Sequence, residues 1–288
     1  MSNFYNTLFQ KTYGVKIEET TFQQDADIRN AMTQLRGSYR NNVTPTLYDQ
    51  DEIRKAYMIG YFPHSVHVTE EVMSKYVLPF LPNKDKVTFS FFAGGPCPEF
   101  LGALHAIDHS PFHNSLEAVT YDCEENWVEQ IQAGFSMKDY IAPNTNGTLR
   151  YFYGCDLCGS CSECECRDKW CSQQLAKTDV IFVQNLLSHI SNVYEVTDKL
   201  QKLLNMASPS TLLVMVDYNY AQTRLALTTL SRTATIDCLS SNVQESCTRT
   251  RTPLTMPKAF QEKIFIGGDG LGARFYTNYY YGVFRKAA

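Results

Sequence analysis

The run Val87-Thr88-Phe89-Ser90-Phe91-Phe92, followed at once by Ala93-Gly94-Gly95-Pro96, constrains what this chain can fold into more than any other stretch of it. Aromatic and β-branched residues in an unbroken run favour a buried strand, and two glycines with a proline mark a tight turn. The next segment is helical in pattern. Pro98 suits a first helical turn, and Phe100, Leu101, Leu104 and Ile107 fall on one apolar stripe of FLGALHAIDH. Strand, glycine turn and helix in that order are the opening unit of an α/β sheet.

The same alternation recurs downstream. Leu116 to Asp122 reads as a strand, Glu125 to about Tyr140 as a helix and Thr148 to Tyr153 as a strand. Val180-Ile181-Phe182-Val183 and Leu212-Leu213-Val214-Met215-Val216 are continuous apolar runs, the mark of central strands covered on both faces. Between them lies a helix with Ile190, Val193, Leu200 and Leu203 on one side. Crossover helices between such strands imply a parallel sheet. Upstream, from Gln24 to Leu81, apolar residues at Ile28, Met32 and Leu35, then Ile53, Tyr57, Met58 and Tyr61, keep helical spacing and predict a helical N-terminal extension. At the other end, Lys263 to Ile266 and Phe275 to Phe284 read as a hairpin antiparallel to the rest. The glycine run joining them, Gly267 to Gly272, lacks the Lys-Ser/Thr of a P-loop and reads as a turn. Thr233 to Pro257, rich in Ser and Thr, reads as an irregular insertion.

A chain of 288 residues, 44% hydrophobic, has enough apolar mass for a core without disulfide staples. It shows no secretory leader and no run approaching ~18 apolar residues, which predicts a soluble, cytoplasmic protein with no membrane partner. A formal net charge of −4 gives no global pull toward phosphate backbones, so a nucleic-acid partner is not favoured. Ten cysteines in a reducing compartment are thiols or metal ligands, and six of them crowd between Cys155 and Cys171.

A glycine turn after the first strand lets backbone amides approach a ligand at the helix N-terminus. An acid at the end of the second strand suits ribose hydroxyls, and Asp122 stands there, 27 residues after Gly95. The ligand-free alternatives are a plain strand-to-helix turn for Gly94-Gly95-Pro96 and a helix N-cap for Asp122. A nicotinamide dinucleotide is the lesser candidate, because G-x-G-x-x-G is absent.

The runs VTFSFFAGGPCPEFLGAL, VTYD, TDVIFVQNLLSHI and TLLVMVDYN, taken together, resemble the successive motifs of class I S-adenosylmethionine-dependent methyltransferases, from about Val87 to the C-terminus. The resemblance implies a Rossmann-like, mostly parallel seven-stranded sheet with an antiparallel C-terminal strand, preceded by the helical extension as residues 1–82, with residues 83–288 forming the methyltransferase-like domain. It implies S-adenosylmethionine as cofactor, with Ala93, Gly94 and Gly95 against its methionine part, Asp122 on the ribose, and Asp156 with Leu157 beside the adenine. Pro96 and Cys97 depart from the family's usual glycine-rich loop. The implied activity is methyl transfer to an unidentified substrate, a small molecule in the leading reading. The alternatives are a catalytically silent binding or assembly module, and an RNA-modification factor using Arg232, Arg249, Arg251, Lys258 and Lys263.

Methyl transfer needs positioning more than acid–base help, so catalytic groups are faint in a sequence. His189, after the fourth strand, lies where the family places substrate-facing residues and could take a proton; its alternative role is a helix-start histidine capped by Ser188. Asn185 and Tyr218 are further candidates. His64 and His67, with Tyr57 and Tyr61, either line a lid over the cleft or simply pack or face solvent. In GCDLCGSCSECECRDKWC, Cys155, Cys158, Cys161 and Cys164 stand at successive C-x2-C intervals with Cys166 and Cys171 nearby. That spacing suits zinc as a structural clip or an iron–sulfur cluster, and a metal-free thiol-rich loop is the remaining alternative.

Overall fold

A computed structural model describes residues 4–41, 48–155, 173–187, 192–266, 273 and 275–287. The N-terminal region is helical, as the spacing predicts: α1 (Phe4–Tyr13), α2 (Phe22–Asn41), α3 (Asp51–Gly60) and α4 (Phe62–Val72). The helix α1 precedes the stretch in which the periodicity is visible. Then comes the alternating unit: β1 (Lys86–Phe92), α5 (Pro98–Asp108), β2 (Ser115–Asp122), α6 (Val128–Phe135), α7 (Lys138–Ile141), β3 (Asn146–Tyr153), β4 (Val180–Gln184), α8 (Val193–Met206), β5 (Leu212–Tyr218) and α9 (Ala221–Ser231). The chain ends with β6 (Ile236–Ser241), β7 (Thr248–Arg251), α10 (Lys258–Lys263) and β8 (Tyr276–Lys286).

These strands form one Rossmann-like sheet in the order β3-β2-β1-β4-β5-β8-β6, with β7 also paired to β8. The strands β1 to β5 are mutually parallel, and β8 runs antiparallel to β5. On the other side of β8, β6 pairs with its C-terminal half and β7 with its N-terminal half. The sheet is thus seven strands wide with an edge position shared by two.

This corrects two expectations. Lys263 to Ile266 is not the first arm of a hairpin: residues 258–263 are helical, because Phe260 and Ile264, four apart, are both buried on one side. Residues 233–257 are not wholly irregular, since β6 and β7 lie within them. The glycine run 267–272 falls outside the described residues.

Side-chain alternation sorts each central strand onto two faces. Val87, Phe89, Phe91, Val180, Phe182, Leu212, Val214 and Val216 share one core with α1 to α6. Ile181, Val183, Leu213, Met215, Tyr280 and Phe284 pack with Val196, Leu200, Leu204, Ala226, Leu227 and Leu230 of α8 and α9 on the other. Both faces being covered is why these strands are unbroken apolar runs.

The helix α4 lies across α5, and Gly102 lets them approach. A Cβ there would collide with the carbonyl oxygen of Val66 and stand 2.5 Å from Thr69 Cβ and 3.0 Å from the Glu70 nitrogen. A backbone oxygen cannot swing aside, so Gly102→Ala is expected to destabilise the fold by about 2 kcal/mol, the usual scale for overpacking. Chemical denaturation reads this directly, and an unchanged midpoint would show that α4 and α5 slide apart freely.

Candidate functional site

The chain leaves β1 toward β2 and β3 on one side and later places β4 and β5 on the other. The crevice at the carboxyl ends of β1 and β4 is therefore the topological switch point, where open α/β sheets hold ligands. The loop after β1 is shaped for close approach. Ala93, Gly95 and Cys97 have φ of 53°, 50° and 56°, so every second residue is left-handed. Such a conformation costs a non-glycine residue roughly 1–2 kcal/mol, and Ala93 and Cys97 both bear it. Gly94 has no room for a side chain, since a Cβ would strike Thr120 Oγ1. The departure at Pro96 and Cys97 thus leaves the alternating left-handed loop in place.

Asp122 ties this loop to its neighbours. As the last residue of β2 it is 7% exposed, with Oδ2 accepting from the Gly95 N–H at 2.7 Å and Oδ1 from the Glu124 N–H at 2.9 Å. Its carbonyl accepts from the Cys155 N–H at 2.9 Å. Burial pushes its carboxyl upward, and the two backbone donors act in the opposite direction. A carboxylate offers about four lone-pair sites. The Gly95 and Glu124 N–H groups and the Cys123 side chain draw on three of these, so acceptor capacity remains for one ligand hydroxyl.

Glu99, in the first turn of α5, is 3% exposed, and its Oε2 has no hydrogen-bond partner. Burial pushes its carboxyl up to about 8, its own backbone N–H works against that, and the neighbouring Asp122 adds to the rise. Nothing in the sequence pattern singles this residue out. An acid after a helix-starting proline looks like an ordinary solvent-facing complement to the helix dipole.

The N-terminal helices roof the crevice with rings. Trp127 lies 3.4 Å from where a Gly95 Cβ would stand, and it meets Tyr48 at 5.0 Å and Tyr57 at 5.8 Å between centroids. Tyr57 packs on Tyr61 at 5.7 Å, and Tyr61 reaches Tyr218, at the end of β5, at 6.5 Å. An aromatic bridge thus runs from the segment after β2 to the end of β5, and Tyr57 and Tyr61 pack within it.

At the β4 and β5 ends the structure brings Asn185 and Tyr218 together with His64, Ser65 and Asp217 around a cavity of about 10 Å³, room for one water-sized group. Asn185 is left-handed at φ 57°, and its Nδ2 donates to Ser65 Oγ at 3.0 Å. Asp217 ends the buried part of β5 as Asp122 ends β2: it accepts from the N–H groups of Leu187 and Tyr218, each at 2.7 Å. His64 Nδ1 is 2.5 Å from Thr252 Oγ1. His67 is held elsewhere, by Thr250 at 3.0 Å and Glu70 at 3.3 Å.

His189, Asp156, Leu157, Cys158, Cys161, Cys164, Cys166 and Cys171 lie outside the described residues. Cys155 is half-buried and packs against the second core. Among the described residues no three His, Cys, Asp or Glu side chains converge as a metal site. No described helix is long and apolar enough to cross a membrane. Of the C-terminal basic residues, Lys263 is spent on Ile17 O at 2.9 Å and Thr20 Oγ1 at 3.0 Å, Lys258 pairs with Glu262 at 2.8 Å, and Arg249 stacks 4.2 Å over Tyr276.

No protein-family model and no curated protein matches the chain. The solved structures it resembles include methyltransferases. The plantazolicin methyltransferase BpumL in complex with SAH is 12% identical, over 92% of this chain and 98% of that one, with a TM-score of 0.45. The N-methyltransferase NodS from Bradyrhizobium japonicum WM9, in complex with S-adenosyl-L-homocysteine, is 9% identical over 89% and 100%, at 0.41. A putative class I S-adenosylmethionine-dependent methyltransferase from Listeria monocytogenes is 9% identical over 99% and 80%, at 0.42.

Proposed function

We propose that the protein is an S-adenosylmethionine-dependent methyltransferase acting on a small molecule. One observation carries the reading: at the switch point a left-handed glycine loop is clamped to a buried strand-end carboxylate, Asp122, which keeps acceptor capacity beyond its own donors. A ribose hydroxyl fits that acceptor, and the bare backbone of Gly94 and Gly95 fits a ligand chain lying against it. When bound, the cofactor supplies an electrophilic methyl group on a sulfonium.

The chain's own residues supply orientation and dryness. Asp122 fixes the ribose end, the loop from Ala93 to Gly95 supports the amino-acid end, and Trp127, Tyr48 and Tyr57 exclude water above it. Asn185 and Tyr218, beside His64 and Asp217, border the acceptor side. Holding two reactants in register is worth several kcal/mol in a displacement of this kind, so positioning and water exclusion carry the rate.

The test is incubation of the purified protein with methyl-labelled S-adenosylmethionine and a cell extract split by size. The expected result is label in the low-mass fraction. Label confined to protein or RNA would contradict the small-molecule part of the proposal, and no transfer with any fraction would contradict the enzyme.

A further inference from the structure

Glu99 is a buried carboxyl to which the proposed reaction gives no role. It sits two residues beyond the left-handed Cys97, its Oε2 is enclosed and unpartnered, and among the described residues no lysine, arginine or histidine forms an ion pair with it or with Asp122. Glu99 raises the phenol of Tyr57 and the thiol of Cys97 electrostatically and is itself raised by Asp122, which places the four groups in one neighbourhood. Two carboxyls under an aromatic roof, with no counter-charge, form a site that lacks a cation. A buried acceptor left unmade is costly, and a charged donor is the partner that repairs it most strongly.

We propose that Glu99 is an additional ligand-binding residue of this crevice, whose free oxygen receives the α-ammonium group of an S-adenosyl amino acid lying along the loop from Ala93 to Cys97. The inference rests on the proposed cofactor and deepens it by assigning the amino-acid end to a side chain from α5. Arrival of the ammonium changes the state of the carboxyl. Without ligand, burial keeps Glu99 protonated at neutral pH, its carboxyl standing at about 8. A cation in contact favours the ionised form. The acid therefore gives its proton to solvent as the ammonium binds, and a carboxylate–ammonium pair replaces a neutral acid.

Of the groups facing Glu99, Asp122 is the one acid whose proton can add to this release, and Glu99→Gln separates the two. From α3 comes Tyr57 and from the loop Cys97, both pushed well above their ordinary values and neutral at pH 6.5. From β2 comes Asp122, raised by burial. The helix α4 brings His67 and Glu70, which engage His105 and His109 toward the far end of α5. The helix α6 brings the uncharged Gln130, and α7 brings Lys138, paired with Asp139 at 3.3 Å.

The experiment is calorimetric titration of the full chain at pH 6.5 with S-adenosylmethionine and with S-adenosylhomocysteine, each in two buffers of different ionisation enthalpy. Both ligands carry the ammonium, and only the first carries the sulfonium. The expected result is release of close to one proton with either ligand, together with affinity rising about tenfold per pH unit from 6 to 7, the slope of a single linked proton. In Glu99→Gln both effects disappear and binding weakens about tenfold. Binding by the wild-type chain without proton release overturns the assignment, and this arm needs no variant to fold. Release with S-adenosylmethionine alone overturns it in favour of the sulfonium, and release undiminished in Glu99→Gln moves it to Asp122. If neither ligand binds the folded wild-type protein, the cofactor reading itself has failed and takes this inference with it.

Discussion

Asp122→Ala is expected to weaken S-adenosylmethionine and S-adenosylhomocysteine binding by roughly 100-fold or more, because hydrogen bonds to a charged acceptor are worth about 1.5–3 kcal/mol each and the variant loses those to the ligand together. The damage extends to the loop. The same carboxylate accepts from Gly95 and Glu124, and with it gone the buried Gly95 N–H and the half-buried Glu124 N–H lose their partner while Ala93 and Cys97 remain in left-handed conformations. Asp122→Asn keeps a carbonyl oxygen for one donor and should fall between wild type and alanine in both affinity and melting temperature. Titration calorimetry on the three proteins decides the matter. An alanine variant that binds within about threefold of wild type would place the ribose elsewhere.

The second large effect is on stability. Glu99 stands at about 8 in the folded protein and near ~4.3 in an unfolded chain, so between these values the folded state holds a proton that the unfolded state has lost. A carboxyl raised on folding contributes stability that is complete below the unfolded value and is lost as pH rises through the folded one. At ~1.4 kcal/mol per unit, the ligand-free protein should lose on the order of 4–5 kcal/mol from this group between pH 4.5 and 8. Asp51, Glu70 and Glu117 are shifted downward and act with the opposite sign, but in the acid range, where their carboxyls titrate. Glu99→Gln should therefore flatten the fall in stability between pH 5 and 8 and be the more stable protein at pH 8. Urea midpoints at several pH values measure this. Parallel slopes for wild type and variant would mean that Glu99 is solvated or already paired with a cation.

The central sheet was legible because β4 and β5 are covered on both faces, and such burial writes itself as an unbroken apolar run. Asp122 was legible for a related reason: an acid that stops a buried strand needs a special partner. The edge strands were not. In β6 and β7 most side chains are exposed or half-buried, and Ser and Thr serve an edge strand as well as a loop. The six residues of α10 are too few for a helical period to outweigh a short β-like reading, and burial of Phe260 and Ile264 decided the outcome. Glu99 stayed hidden because its burial comes from helices some thirty to forty residues upstream in the chain, whose placement no local pattern encodes. The union of Asn185 and Tyr218 with His64 around one cavity likewise depends on α4 lying across the ends of β4 and β5. All three residues were visible in the sequence, and their convergence was not.

The measurement that bears most directly on the account is a calorimetric titration of the wild-type chain with S-adenosylmethionine, followed by a thermal melt of the complex. Saturable one-to-one binding with a raised melting temperature is the expected result, since a ligand held by the folded state alone stabilises it by about 2.7 kcal/mol at a hundred times its dissociation constant. Absence of heat and of any melting shift up to millimolar ligand, on protein shown to be folded, would contradict the assignment of the crevice between β1 and β4 as an S-adenosylmethionine site.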